Sequence, residues 1–301
     1  MNVQGRDCSI VIKTSCWEMD VPYSEETIRE AVSILQEEAA IEGDGVCRGI
    51  KKVVGVTGCV VTPLTLGTAP FLLYLAMGSA GKPVFVSETR NLYKCELCLL
   101  PLEDTDRFDL VQDRGMNNEQ LTMNNERVNK VGLLFEGCGV TGFELRIMRG
   151  EVIKLKLDVC GESCPRVYPY TDSFKKNNEE SFSGDFTSYW INGKEYKNIY
   201  GVTLSCIKEG RTKTEVWIKR VLENGNELPD SIDEMVITAK LLRDKYENRY
   251  YGMFRITLKR LVLISDVINV DCADAVMGPV RFYVFGSVLT DVFTSTEEII
   301  Q

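Results

Sequence analysis

The chain has 301 residues, 35 Lys plus Arg against 44 Asp plus Glu for a net charge of −9, 44% hydrophobic residues, eleven cysteines and no histidine. That length suits one large domain or two ordinary ones, and the apolar share is that of a globular chain. Without histidine, Ser-His-Asp and Cys-His nucleophilic sites, His-bearing zinc sites and the usual neutral-pH acid/base all lack their central group, so no enzyme is expected; the acidic balance also argues against a general nucleic-acid binder.

From the first residues onward the pattern is that of half-buried strands. Residues 1–8 carry acid and polar groups where a signal peptide would be apolar, and residues 8–14 alternate with period two. Residues 24–40 read as an amphipathic helix, with Glu25 and Glu26 in the first turn and Ile28, Val32, Leu35 and Ala39 on one face. A strand over 58–66 leads into a short apolar helix at 68–78, with Pro70 placed to open it and Gly78 to close it. Its apolar core is far short of the roughly 20 residues a bilayer requires, so no membrane partner is expected.

Alternation returns at 92–100, 128–135, 143–147 and 152–159. Gly137, Gly139 and Gly142 have the spacing of a dinucleotide fingerprint, but a strand pattern follows where that fingerprint needs a helix N-terminus. A glycine-rich hairpin turn is therefore expected. Residues 161–188, with Pro165, Pro169, Lys175, Lys176 and Gly184, show turn chemistry and charge without apolar period. They divide the chain into a domain over 1–165, a linker over 166–188 and a second domain over 189–301.

The second half alternates at 189–191, 200–206, 215–218, 235–242, 254–263 and 280–285. Asn192-Gly193 and Asn224-Gly225 are hairpin turns, because these residues tolerate positive φ. A more polar helix is expected over 244–252. Both halves place a strand before a short helix and end on a closing strand, which predicts a duplicated β unit.

Candidate chemistry is sparse. Cys95, Cys98, Cys160 and Cys164 could form a four-cysteine zinc site, but a metal knuckle needs each pair to converge at a turn, and Cys95 and Cys98 lie in a strand pattern. An odd cysteine count in a long chain favours reduced thiols used as small apolar residues, hence a cytosolic setting and no cofactor. The acids Glu103, Asp104, Asp106, Asp109 and Asp113 lack the closing Gly and Glu of a calcium loop and read as a solvated loop. The basic run 48–52 has no aromatic interleaving, and Trp17, Trp190 and Trp217 read as core or subunit-contact residues.

The order of these features resembles a known family. The stretch 55–78, a Gly55-to-Pro63 β pattern followed by Pro70-Phe71-Leu72-Leu73-Tyr74-Leu75-Ala76-Met77, resembles the strand and short helix of the two-domain tail tube proteins of long-tailed bacteriophages. Residues 127–135 followed by 150–159 look like that family's close of the first domain, and 191–205 like the opening hairpin of its second.

The resemblance implies a mainly β fold of two related β-sandwich or split-barrel domains, each with a short flanking helix. It implies self-association into trimeric, pseudo-hexameric rings or into hexameric rings, stacked as a tube that conducts DNA without binding it. Its partners would be the tape measure, terminator and distal tail proteins, and its place the virion tail after assembly in the bacterial host cytoplasm. It also implies a strand near 33–41, against the helical period of that segment. A single-ring hub, distal tail or terminator component, and a His-free metal or cysteine-based protein, are the alternatives.

Overall fold

A computed structural model describes residues 10–36, 49–78, 84–87, 92–116, 130–162, 165–170, 180–221, 228–242, 249–266 and 277–300. The chain is mainly β, with one α-helix among the described residues. Its first strands are β1 (Ile10–Lys13), β2 (Glu18–Val21), β3 (Glu25–Glu26), β4 (Arg29–Gln36) and β5 (Gly49–Pro63). After the helix α1 (Ala69–Met77) come β6 (Val84–Ser87), β7 (Leu92–Cys98), β8 (Phe108–Met116), β9 (Lys130–Met148), β10 (Lys154–Gly161) and β11 (Arg166–Tyr170). The rest are β12 (Thr187–Ile191), β13 (Lys194–Glu195), β14 (Ile199–Ile207), β15 (Lys213–Val221), β16 (Ser231–Leu242), β17 (Arg249–Asp266), β18 (Met277–Val284) and β19 (Val288–Ile300).

These elements form two compact units, each assembled from separated stretches. One unit comprises 1–60, 107–139 and 158–177, the other 61–106, 140–157 and 178–301. The chain passes from one to the other within β5, β9 and β10. The sequence-based division runs end to end instead, and inside its expected linker residues 166–170 form β11 and 184–186 a 3-10 turn.

In the first unit, β1 pairs antiparallel with β2 and β8, β8 with β9, and β9 with β11. Ile10, Val11 and Ile12 are all buried, so β1 is covered on both faces, with Val11 packed in a cluster with Val111 and Leu134. The expected hairpin at 137–142 does not form, because β9 runs unbroken through it. Phe108 pairs with Cys138 and Leu110 with Phe135, so Asp109 opposes both Glu136 and Gly137. This is a β-bulge with its glycine at φ +65°, and the Asp109 carboxylate accepts the Gly137 N–H at 2.9 Å. The glycines absorb a bulge and no helix follows, which removes the dinucleotide reading. Asp109 and Asp113, read from sequence as loop, belong to β8.

The helix expected over 24–40 is also absent; β3 and β4 occupy 25–36, and residues 37–40 lie outside the described residues. Ile28 is buried while Arg29 and Glu30 are both exposed, and β4 pairs with β5 from Arg29↔Thr57 to Gln36↔Gly49. An isolated helix of this length is marginal in water, whereas the neighbouring strand offers every residue a backbone partner, so the ladder overrides propensity.

In the second unit α1 matches its expected limits. Pro70 stands in its first turn, and Gly78 closes it at φ 85° with its N–H on the Tyr74 carbonyl at 2.8 Å. Every helix residue except Phe71 is buried, as an element apolar all round must be. The second expected helix is not found: residues 249–252 begin β17, where Arg249 pairs with Ile300 and Tyr250 with Ile299, and 243–248 lie outside the described residues. The Asn192-Gly193 turn forms as expected between β12 and β13, with φ of 49° and 79°. Residues 224 and 225 lie outside the described residues.

The sheet of this unit forks at β17. One edge of β17 follows β16, which continues to β12 and β13. Along its other edge β17 pairs with β19 as far as Leu258↔Val288, and with β18 from Leu261↔Val284. Between the two, Arg260 takes φ 55° and its carbonyl accepts the Phe285 N–H at 2.9 Å. One branch runs β19–β7–β6, the other β18–β15–β14–β9. A strand shared by two sheets is how sandwich corners are built. Val202, Leu204, Val216, Ile218, Phe254 and Phe282 are buried in this unit, each contributing about 1.5–3 kcal/mol on burial. No helix among the described residues is long and apolar enough to cross a membrane.

Candidate interaction face

On the branch β18–β15–β14–β9, alternation sends one set of side chains inward and the other outward. In β15, Thr214, Val216, Ile218 and Arg220 are buried, while Lys213, Glu215, Trp217 and Lys219 occupy the outer positions. Register aligns these with their neighbours: Trp217 stands between Thr203 of β14 and Arg281 of β18, and Glu215 between Ser205 and Tyr283. Val262 of β17 lies beside Tyr283.

The outer positions form one connected network. Arg281 donates from Nε and Nη2 to Oε2 of Glu215 at 2.9 and 2.5 Å, while Lys213 Nζ lies 2.9 Å from the other carboxylate oxygen. The Arg281 guanidinium lies 4.7 Å from the Trp217 ring centroid, and the Lys213 ammonium 4.9 Å from that of Tyr283. Tyr283 in turn meets Phe285 edge to face at 6.1 Å. Burial alone would raise the Glu215 carboxyl, but hydrogen bonds from Lys213 and Arg281 outweigh it and hold the group below the ordinary carboxylate range. The same contact raises the Lys213 ammonium.

Around this network large apolar side chains meet solvent: Phe285 is 69% exposed, Ile207 54%, Val262 45% and Trp217 38%. Each pairwise contact is worth little by itself, about 0.5–1 kcal/mol for an exposed cation–π pair and about 0–1 for an exposed ion pair. Their joint effect is to hold Trp217, Tyr283 and Arg281 in place. Aromatic and arginine side chains held rigid on an open face are the residue types that dominate protein interfaces.

The residues singled out from sequence are not gathered here. Cys95 and Cys98 lie in β7, paired with Val292 and Leu289, with no turn between them. Cys98 belongs to the second unit and Cys160 to the first, while Cys164 lies outside the described residues. Among the described residues no group of three or more His, Cys, Asp or Glu could hold a metal ion. Glu103 and Asp104 lie exposed in a 3-10 turn over Leu102–Asp104, and Asp106 accepts the Tyr74 hydroxyl at 2.6 Å. Of the basic run, residues 49–52 lie in β5. Trp190 is 41% exposed and Trp17 half-buried, so neither is a core residue.

Sequence reasoning missed Lys213, Glu215, Arg281, Tyr283 and Phe285 as a group. The alternation of 215–218 and 280–285 was visible, and so was aromatic and charged residues sharing their outer positions. What brings them together is the register of β15 on β18, which no local pattern encodes. No protein-family model matches the chain, and no curated protein sequence matches it.

Proposed function

We propose that this protein is a structural, self-associating component, the building block of stacked rings that form a phage or prophage-derived tail tube. The observation that carries self-association is the outer face of β14, β15 and β18. Its side chains are organised by contacts with one another and it exposes large aromatic groups. A face of this kind suits docking. The tail-tube reading adds to it the sequence order of 55–78, 127–135, 150–159 and 191–205, together with a mainly β architecture.

On this reading the partners are other copies of the chain and the tape measure, terminator and distal tail proteins, and the protein ends in the virion tail. The net charge of −9 suits a conduit for DNA, since an acidic lumen repels phosphates and lets the duplex slide. Negative-stain electron microscopy of the purified full chain tests the proposal. Long hollow filaments of uniform diameter are expected. Isolated rings would favour a hub, distal tail or terminator component, and a monomer at every concentration would overturn self-association.

A further inference from the structure

We infer that the β14–β15 turn, residues 207–213, is a proton-operated latch: it is closed over Lys208 while that amine is neutral, and it opens to let the side chain out to water when the amine carries its charge. The inference does not depend on what the outer face binds.

The first ground is where Lys208 lies. In β14 and β15 the paired residues Cys206 and Thr214 face the core, while the next pair, Ile207 and Lys213, faces out. Lys208 continues this alternation one residue beyond β14, its N–H on the Thr141 carbonyl of β9 at 2.7 Å. Its side chain is therefore turned inward, 1% exposed, and its ammonium has no hydrogen-bond partner among the described residues. An ammonium held there loses its hydration and gains nothing in return, whereas a neutral amine leaves only one weak polar group unsatisfied.

No neighbour offers a counter-charge. Cys206, two residues back on the same face, is the ionisable group that acts on the amine, and burial keeps its thiol protonated. Thr214 and Thr141, on the flanking strands, carry no charge. Glu144 of β9, Lys213 and Glu215 of β15 occupy outer positions, and Glu209 and Arg211 lie exposed in the turn itself. Burial accordingly lowers the Lys208 amine to about 8, with Cys206 opposing.

The second ground is that the way out is short and loosely held. Glu209, Gly210 and Arg211 are exposed, and Gly210 turns the chain at φ 69°. The end of the hairpin is tied by the Lys208 N–H on Thr141 and by the pairing of Ile207 with Lys213. Such strand ends open far more readily than the middle of a ladder, and the long stem of a lysine carries its amine into solvent once the backbone lets go.

Opening has a consequence on the other side of the sheet. Lys213 lies 2.9 Å from a Glu215 carboxylate oxygen and 4.9 Å from the Tyr283 ring centroid. Freeing 207–213 lifts it off both, so a proton on the inner face sets the order of the outer network. The amine binds its proton more tightly in the open form, so opening grows as pH falls from the ordinary 10.5 to about 8 and is constant below that.

Pulsed hydrogen–deuterium exchange of the full chain, corrected for the intrinsic rate at each pH, tests the latch. At pH 8 the amides of 206–214 should exchange faster than those of 199–202 and 218–221 at the far end of the same hairpin. Their protection should rise about tenfold between pH 8 and 9.5. Lys208→Met should raise it at pH 8 and remove the pH dependence, while Lys208→Arg, which keeps its charge, should hold the turn open at both values. If Lys208→Met does not fold, Lys208→Gln takes its place. Equal protection at the two ends of the hairpin at pH 8 would mean that the amine charges only on global unfolding, and would overturn the latch. Protection of 206–214 that ignores pH, or a pH dependence that survives removal of the amine, would overturn it as well.

Discussion

The two faces of the β14–β15–β18 layer are made by the same strands, from alternating residues, and treat charge in opposite ways. Outside, Lys213, Glu215 and Arg281 satisfy one another and cover aromatic rings. Inside, Val202, Leu204, Val216, Ile218 and Phe282 leave the polar residues few partners. Cys206 accepts a weak hydrogen bond from Thr214 at 3.7 Å, and burial pushes its thiol up. Lys208, just past the end of β14, is 1% exposed and its ammonium finds no hydrogen-bond partner among the described residues; burial pushes it down to about 8, with Cys206 opposing. The Tyr189 hydroxyl is likewise buried with no partner among the described residues, and burial raises it. A cation on an open sheet face recruits neighbours at small cost, whereas burial in the core weakens a cation's hold on its proton.

The largest expected effect separates the faces at adjacent positions of β18. Phe282→Ala empties a fully buried site and should cost about 3–5 kcal/mol, while Tyr283→Ala should change stability of the unassembled chain by no more than about 1 kcal/mol. Urea denaturation of both variants checks this; equal losses would mean that the outer face is part of a core.

Next comes Lys208→Met. A lysine whose folded pKa lies near 8 against 10.5 unfolded releases its proton on folding in that window, so stability should rise with pH from about 8 to 10.5 and be flat below it. Removing the amine should stabilise the chain at pH 7 by up to about 3 kcal/mol and abolish the rise. Thermal unfolding between pH 6 and 10.5 reads both, and a loss of stability would show that the amine has a partner.

A smaller effect tests the bulge that keeps β9 continuous. A Cβ at Gly137 would touch nothing within 4 Å, so Gly137→Ala reports backbone strain at φ +65° alone, about 1–2 kcal/mol. Gly137→Asn should recover part of it, because asparagine tolerates that conformation; identical losses for both would remove the strain account. The smallest effect is expected from Glu215→Gln. The lowered carboxyl pKa means its contribution is present above the ordinary carboxylate value and lost as pH falls through the lowered one. The variant should lose less than about 1 kcal/mol at pH 7 and show a flatter acid limb in urea midpoints from pH 3 to 7. An unchanged acid limb would detach Glu215 from its two cations.

Legibility followed the range of the interactions involved. The helix at 69–77 was readable because Pro70, Gly78 and an unbroken apolar run act within one segment, and Asn192-Gly193 because both φ preferences are local. β8 was hidden, since the acids Asp109 and Asp113 in its sequence broke the alternation, while Phe108, Leu110 and Val111 do the packing. The strand over 288–300 went unread because its apolar residues come in adjacent pairs, Val288-Leu289, Val292-Phe293 and Ile299-Ile300, separated by Thr, Ser, Asp and Glu, so it shows no period-two alternation, and its pairing with β7 and β17 lies far away in the chain. Residues 24–40 carried a helical period, yet 29–36 form a strand because β5 stands alongside.

By itself the sequence determined that this is a β-rich chain with one apolar helix, no histidine chemistry and an excess of negative charge, since composition and period-two alternation act locally. Only the tertiary structure decided that β9 passes straight through its glycines, that β17 joins two branches of a sheet, and that Trp217, Arg281, Glu215, Lys213 and Tyr283 share one surface. Each of these depends on register between strands distant in sequence, where a shift of one residue would turn every side chain to the opposite face.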